Sequence, residues 1–424
     1  MYAIYNLAWA VAAPGLRAWL RRHPRHGPLL ARFDPEIPAD AVRPLWVHAC
    51  SVGEVTTAKP ILQALRQRFA GAPILLSTST ATGRDLADRT CAGCPVTWFP
   101  FDAPGSVRQF LEKAQPRILI LIETELWPNV LRECRRRGIP AVIVNGRLSD
   151  KHFPRYRRWR PFFQAVFGQL TAVGVQNQVY ADRMTALGVD AAKVHITGNT
   201  KFDAVAAEVD EARRARLKAE NGFPEQAPIL VFGSTRPGDE ALAGACWHTL
   251  RTQFPDLRLV VAPRHLERMD EALQPFDEPV LRRSEVKQGR TPNGERVFFL
   301  DTVGELALFY SLGSVAVVGG SFFPGVNGHN PLEPAALGVP TVFGPYMSNF
   351  PDPAAVLLAA KGAIQVPSPE RLGETLAALL NDPEESARMA ARGRDAILSE
   401  RGAIERNVDL VEAVLQHSSP PSVR

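Results

Sequence analysis

Short, unbroken apolar runs alternate with helix-patterned stretches along nearly the whole chain, and they fall into two series. The first holds Leu45–Ala49, Ile74–Thr78, Val96–Pro100, Ile118–Ile122, Ala141–Asn145, Ala172–Gln176 and Val194–Gly198. A charged, alanine-rich stretch from Ala204 to Gln226 intervenes. The second holds Ile229–Gly233, Leu257–Ala262, Val297–Leu300, Val315–Gly319, Thr341–Phe343 and Ala363–Val366. Strands this short, without polar alternation, belong to parallel sheets covered by helices on both faces. The pattern predicts an α/β protein of two Rossmann-like domains, their parallel sheets facing an interdomain cleft. A chain of 424 residues is comfortable for two domains. The expected division is an N-terminal segment over 1–30, a first domain over 31–210, a linker over 211–226 and a second domain with the closing helices over 227–424. The last of the periodic helices between Pro369 and Leu415 is expected to cross back onto the first domain.

In a doubly wound sheet, ligands bind outside the carboxyl ends of the strands, so the residues there carry the functional reading. The richest such stretch is Val318–Pro345, where a glycine loop delivers Asn330, Pro331, Leu332 and Glu333 to the start of a short helix. Free N–H groups there attract phosphate, and Glu333 offers an acceptor for a vicinal diol such as a ribose. The same four residues also read as a capping box with proline at the first helical position, which starts many helices that bind nothing. Ser51 to Glu54 is a second such box, with Glu54 as a general base if it reaches an acceptor hydroxyl. After the fourth run come Glu123 and Glu125, two carboxylates costly to bury without partners. Lys201 follows the seventh run and can pair with one of those acids or neutralise a phosphate. In the second series, Ser234–Glu240, Pro263–His265 and Asp301–Leu306 follow successive runs, with Thr302 and Glu305 forming a third box. Neither series carries GxGxxG after its first strand, which argues against a dinucleotide oxidoreductase.

Taken in order, these motifs resemble the 3-deoxy-D-manno-octulosonic acid (Kdo) transferases of lipopolysaccharide synthesis. The resemblance rests on SVGE at Ser51–Glu54, ETELWPN at Glu123–Asn129, GNTKFD at Gly198–Asp203 and GSTRPGDE at Gly233–Glu240. APRH at Ala262–His265, DTVGEL at Asp301–Leu306 and GHNPLEPA ending at Ala335 complete it. It implies a GT-B glycosyltransferase with the acceptor in the first domain and the donor CMP-Kdo in the second. It further implies Glu54 as general base, Glu123 and Lys201 assisting the transition state, and CMP contacts from Pro263, Arg264, Val303, Gly304, Glu305, Asn330, Pro331, Leu332 and Glu333. The family inverts the donor's anomeric centre, needs no bound metal or cofactor, and acts on the acylated, phosphorylated lipid A precursor at the cytoplasmic side of the inner membrane. Two features depart from the family pattern: a shorter N-terminal apolar segment, and the wording of the loop Phe322–Asn327.

Bulk properties fit an acidic or phosphorylated partner, and nothing calls for nucleic acid. The net charge is only +5, but basic residues cluster at Arg17–Arg25, Arg132–Arg137 and Lys151–Arg160. The last cluster mixes cations with aromatics and suits lipid phosphates or headgroups; solvated helix faces are the alternative for all three. Five cysteines are too few for a disulfide framework, and Cys91 with Cys94 lacks a second pair to complete a metal site. At the N-terminus, Leu7–Ala13 precedes Pro14, Gly15 and a set of arginines, with Tyr2, Tyr5, Trp9 and Trp19 interleaved. Its charge follows the apolar run, unlike a signal peptide, and the run is shorter than the ~20 residues that span a bilayer. It reads as a segment lying on or dipping into a membrane, or as a first helix packed on its domain. Disorder is expected only at His417–Arg424. Competing functions are a UDP-sugar epimerase or hexosyltransferase of similar architecture, and a membrane-bound scaffold without activity.

Overall fold

The apolar runs of the first series pair as one parallel sheet in a computed structural model that describes residues 2–206 and 208–418. Its strands are β1 (Leu45–His48), β2 (Ile74–Thr78), β3 (Val96–Trp98), β4 (Ile118–Ile122), β5 (Ala141–Gly146), β6 (Ala172–Val175) and β7 (Val194–Ile196), in the order β3-β2-β1-β4-β5-β6-β7. The second sheet holds β8 (Ile229–Thr235), β9 (Arg258–Pro263), β10 (Val280–Arg282), β11 (Val297–Phe299), β12 (Val315–Val318), β13 (Thr341–Phe343) and β14 (Ala363–Gln365), in the order β10-β11-β9-β8-β12-β13-β14. Strand order reverses between β1 and β4 and again between β8 and β12, the switch points where such sheets bind ligands. β10 was not foreseen. It is a three-residue edge strand with only Leu281 buried, too short and too arginine-flanked to register as an apolar run.

Burial on both faces explains the unbroken runs. Alternate residues of β1, β2 and β4 enter different cores: Trp46, Leu75, Leu119 and Leu121 face one, while Leu45, Val47, Leu76, Ile118 and Ile120 face the other. β8 and β9 divide in the same way, Leu230, Phe232, Leu259 and Val261 against Ile229, Val231, Val260 and Ala262.

The chain forms two compact units, Met1–Asp203 together with Arg401–Arg424, and Ala204–Glu400. The sequence boundaries at 210/211 and 226/227 thus differ from the structural ones: the presumed linker contains a helix, Glu211–Glu220, that belongs to the second unit. The last helix, Ala403–Ser418, joins the first unit. Its Val408, Val411 and Leu415 pack with Val55, Ile61 and Leu65 of the helix Val52–Arg68. Arg68 reaches Asp409 at 2.7 Å and Glu405 at 3.1 Å. The buried Asn407 accepts the N–H of Asn145 at 3.0 Å. Asp203 accepts the N–H groups of Gly402 (2.6 Å) and Ile404 (2.7 Å) and so caps the helix start. The helix runs to Ser418; the rest of the expected disordered tail, 419–424, lies outside the described residues.

The N-terminal segment is a helix, Tyr2–Arg22, that continues through Pro14. Tyr2 and Tyr5 lie against Phe162 with ring centroids 6.4 and 6.3 Å apart, and Trp9 against Phe101 at 5.9 Å. The Tyr5 hydroxyl donates to Asp102 at 2.9 Å. Another side of this helix exposes Ile4 (73%), Leu7 (65%) and Val11 (75%), spaced one helical turn apart. Among the described residues, no helix is long and apolar enough to cross a membrane.

Asp203→Ala removes the oxygen that caps the last helix. The expected cost is about 1–2 kcal/mol to the first unit, read as a lower urea midpoint with an unchanged m-value; Asp203→Asn should recover part of it.

Candidate active site

In the first unit, β1 pairs in register with β4, His48 opposite Leu121, so the turns after the two strands are neighbours. The β1 turn leads into the helix Val52–Arg68. Glu54 is held by two donors, the Cys50 N–H at 2.7 Å and the Ser51 hydroxyl at 3.1 Å. This corrects the expected capping box: the Ser51 hydroxyl caps no backbone N–H but donates to Glu54, and Glu54 accepts from Cys50 rather than from Ser51 N–H. Burial, then the charges of Glu125 and Glu123, pushes the Glu54 carboxyl up to about 8.

After β4 the chain turns sharply, with Glu123 at φ +59°. Arg147, just past β5, donates through Nε to the Glu123 carboxylate at 2.7 Å. The Thr124 hydroxyl donates to the Arg147 carbonyl at 2.6 Å and accepts the Arg147 N–H at 3.1 Å, locking the two strand ends together. Glu125 is pushed up to about 7 by burial and by Glu123. Nearby, the buried Arg32 donates to the carbonyls of Phe99 (3.0 Å) and Ser79 (3.3 Å), and burial lowers its guanidinium to about 10. His48, stacked on Phe99 at 3.8 Å, is kept neutral by complete burial, its pKa lowered to about 3. Donor atoms of His48, Cys50 and Glu125 lie within 4.8 Å of one another.

Lys201 occupies the turn after β7. Its N–H donates to Asn199 Oδ1 at 3.0 Å, and the Thr200 N–H donates to Asn145 Oδ1 at 3.1 Å. Arg147, which follows a run as the other motifs do but carried no expectation from the sequence, is a cation on Glu123. Arg32 carried no signal at all, because it comes from a 3₁₀ helix, Pro24–Phe33, outside both series.

In the second unit, Gly233 packs so closely that a Cβ would stand 1.8 Å from the buried Tyr310 hydroxyl, which excludes any other residue. Asp239 then ties two strand ends together, accepting the N–H of Arg236 at 2.9 Å and that of Gly320 at 2.6 Å. Arg236 extends to two imidazoles, donating to His329 Nε2 at 3.2 Å and to His265 Nε2. Burial and the charges of Arg236 and Arg264 lower His329 to about 4, so it is a neutral acceptor. Pro263 closes β9 opposite Thr235, and the exposed Arg264 follows it.

Asn330 lies one residue before the N-cap rather than at it: its Oδ1 accepts the Leu332 N–H at 3.1 Å and its amide donates to Glu333 at 3.2 Å. The helix is Leu332–Ala336, so Pro331 precedes it instead of opening it, and Glu333 meets an amide side chain instead of the backbone N–H a capping box requires. Burial raises the Glu333 carboxyl, against the hydrogen bond from Asn330 and the charge of Arg264. The third expected box also differs. Glu305 sits at the N-cap of the helix Leu306–Tyr310 and takes the Thr302 hydroxyl at 2.5 Å, Lys287 at 2.7 Å and Arg283 at 3.1 Å. Burial alone would raise its carboxyl, but these donors outweigh it and hold it near about 2. Its side chain is committed within the protein, while Val303 (89% exposed) and Gly304 (φ +89°) present bare backbone.

The raised acids have a stability consequence. A carboxyl near 8 in the fold and near 4.5 in the unfolded chain stabilises fully below 4.5, and that contribution is lost as pH rises through 8. Glu54→Gln should therefore melt about 2–4 °C above the wild type at pH 8, with the gap closing toward pH 5 in paired melting curves.

The family model described as 3-Deoxy-D-manno-octulosonic-acid transferase (kdotransferase) matches residues 21–204. The chain is 32% identical to the 3-deoxy-D-manno-octulosonic acid transferase of Haemophilus influenzae, with 88% of each chain covered. It is 32% identical to that of Bordetella pertussis, with 96% of this chain and 98% of the other covered. Among solved structures, UDP-GlcNAc 2-epimerase from Neisseria meningitidis superposes with TM-score 0.56 at 14% identity, over 88% of this chain and 99% of the other. A glycosyltransferase from Rickettsia africae superposes with TM-score 0.57 at 9% identity, over 89% of this chain and 100% of the other. The structural likeness is one of fold, GT-B with two Rossmann-like domains. The sequence likeness covers so much of the chain that it runs through both units, and the chain belongs to the 3-deoxy-D-manno-octulosonic acid transferase family.

Proposed function

We propose that this protein transfers Kdo from CMP-Kdo to the acylated, phosphorylated glucosamine disaccharide of the lipid A precursor (lipid IVA), with inversion and without a bound metal or other cofactor. The observation that carries the reading is Glu54, a carboxylate oriented by two donors and raised to about 8, near the pH at which a base must work. In the step, an acceptor hydroxyl oxygen bonds to the donor's anomeric carbon while the bond from that carbon to the CMP phosphate breaks. The proton goes to Glu54, and the electron pair leaves on the phosphate. Glu123 and Lys201 assist on the acceptor side. Arg264 and the backbone N–H groups of Val303, Gly304 and Leu332 suit the departing phosphate, and Glu333 suits the ribose diol. Fixed cations and oriented N–H groups supply the charge stabilisation that a metal would otherwise give.

A lipid acceptor requires work at a membrane, here the cytoplasmic side of the inner membrane. The exposed stripe Ile4, Leu7 and Val11 supports this. So does its neighbour across Phe162, the helices Phe153–Arg158 and Arg160–Phe167 with exposed Trp159 (62%) and flanking arginines. Replacing Ile4, Leu7 and Val11 together by serine should weaken binding to anionic vesicles at least about tenfold without lowering the melting temperature. Unchanged partitioning would remove this face as the contact.

Purified protein given CMP-Kdo and the tetra-acylated precursor should yield the glycosylated lipid, with the number of sugars added read by mass spectrometry. Glu54→Gln should lower kcat by about 10²–10⁴ and erase the rise of kcat/KM toward pH 8. Thermal stabilisation by CMP, stronger than by UDP, should survive in that variant.

A further inference from the structure

His48, at the end of β1, has its Nδ1 3.1 Å from the carbonyl oxygen of Ser77. Nδ1 also lies 3.2 Å from the Ser77 hydroxyl, but that hydroxyl has the Val47 carbonyl as acceptor at 3.3 Å, so we assign the Nδ1 proton to the Ser77 carbonyl and a lone pair to Nε2. The side chain is fully buried, yet Nε2 has no hydrogen-bond partner. A fold rarely leaves a buried acceptor in that state unless something outside the chain fills it. A ring nitrogen of His48 lies within 4.8 Å of the Cys50 thiol sulfur and of a Glu125 carboxylate oxygen, and those two atoms are also within that distance of each other. Both side chains are partly exposed, so the point is reachable from solvent.

We propose that His48, Cys50 and Glu125 form a binding site for a zinc-class divalent cation. One nitrogen, one sulfur and one carboxylate oxygen are the donor set of a borderline-soft metal, and neither magnesium nor calcium takes a thiolate by preference. The Nδ1–H bond to a backbone carbonyl is the outer contact that fixes a metal-binding imidazole with Nε2 toward the ion. Bonds of ~2.0 Å to nitrogen and ~2.3 Å to sulfur draw the three atoms closer than 4.8 Å. Rotations of the Cys50 and Glu125 side chains supply that contraction while the β1–β4 pairing stays in register. Binding releases the thiol proton to solvent and leaves a fourth position for water. Sequence spacing hid the site, because Cys50 and Glu125 follow different strands. The proposed transfer routes nothing through a metal, but the site adjoins its base: the Cys50 N–H and the Glu125 charge both act on Glu54.

The full chain, stripped with chelator, is titrated with Co²⁺ and then with Zn²⁺. The expected result is one equivalent of cobalt with a thiolate-to-cobalt charge-transfer band, discharged by zinc. Cys50→Ser should lose the band and bind more than about tenfold more weakly, while Cys91→Ser/Cys94→Ser keeps it. Glu125→Gln, which leaves the thiol in place, should keep the band but weaken affinity, so the test does not depend on one variant folding. A wild type without the band, or a band that survives Cys50→Ser, overturns the site.

Discussion

The parallel pairing of β1 with β4 governs the chemistry of the first unit. With His48 opposite Leu121, the chain leaves two adjacent strands at one level, and the residues that follow have nowhere else to go. Glu54, Glu123 and Glu125 are thereby gathered beneath a core that excludes water from one side. Glu125 and Glu123 raise the proton affinity of Glu54, and Glu123 that of Glu125, and the sheet cannot relax the crowding without giving up the ladder that holds both cores. Arg147 pairs with Glu123, while burial and these charges leave Glu54 and Glu125 as raised carboxyls. A carboxyl with an elevated pKa follows from strand order, at a cost in stability the rest of the unit must carry.

Much of this was legible because parallel sheets turn order in sequence into position. The runs before Glu54 and Glu123 are apolar and fully buried, so polar residues directly after them had to lie at the strand ends; the run before Lys201, with His195 and an exposed Ile196, is a weaker signal placed by its order in the series. What stayed hidden was side-chain direction. The three capping boxes had the right spacing, yet in each the carboxylate found a different partner: Cys50 N–H for Glu54, the Asn330 amide for Glu333, and Lys287, Arg283 and Thr302 for Glu305. Spacing tells which groups come within reach; competition among donors decides which pair, and here the donors are neighbours in the same turn for Glu54 and Glu333, joined for Glu305 by Arg283 and Lys287 from another helix. β10 and Arg32 were missed for a related reason, since a three-residue edge strand and a 3₁₀ turn leave no periodic trace.

The two units treat charge in opposite ways. At the β1 and β4 ends, acids are crowded and partly buried, so they hold protons tightly and release them near neutrality. At the β8, β9 and β12 ends, the cations are not neutralised in ion pairs with carboxylates: Arg236 donates to two imidazoles, one of them kept neutral by burial and by the surrounding arginines. Imidazoles orient the guanidinium while leaving its positive charge undiminished. Glu305, a strongly paired acid of that unit, is satisfied by Arg283 and Lys287 rather than by Arg236 or Arg264. Crowded, raised acids at the strand ends of one unit and a guanidinium held by imidazoles at those of the other are the contrast between the two. Exchanging a carboxylate for His329 would pin Arg236 just as firmly and cancel the field it supplies, so the neutrality of that histidine matters as much as its position.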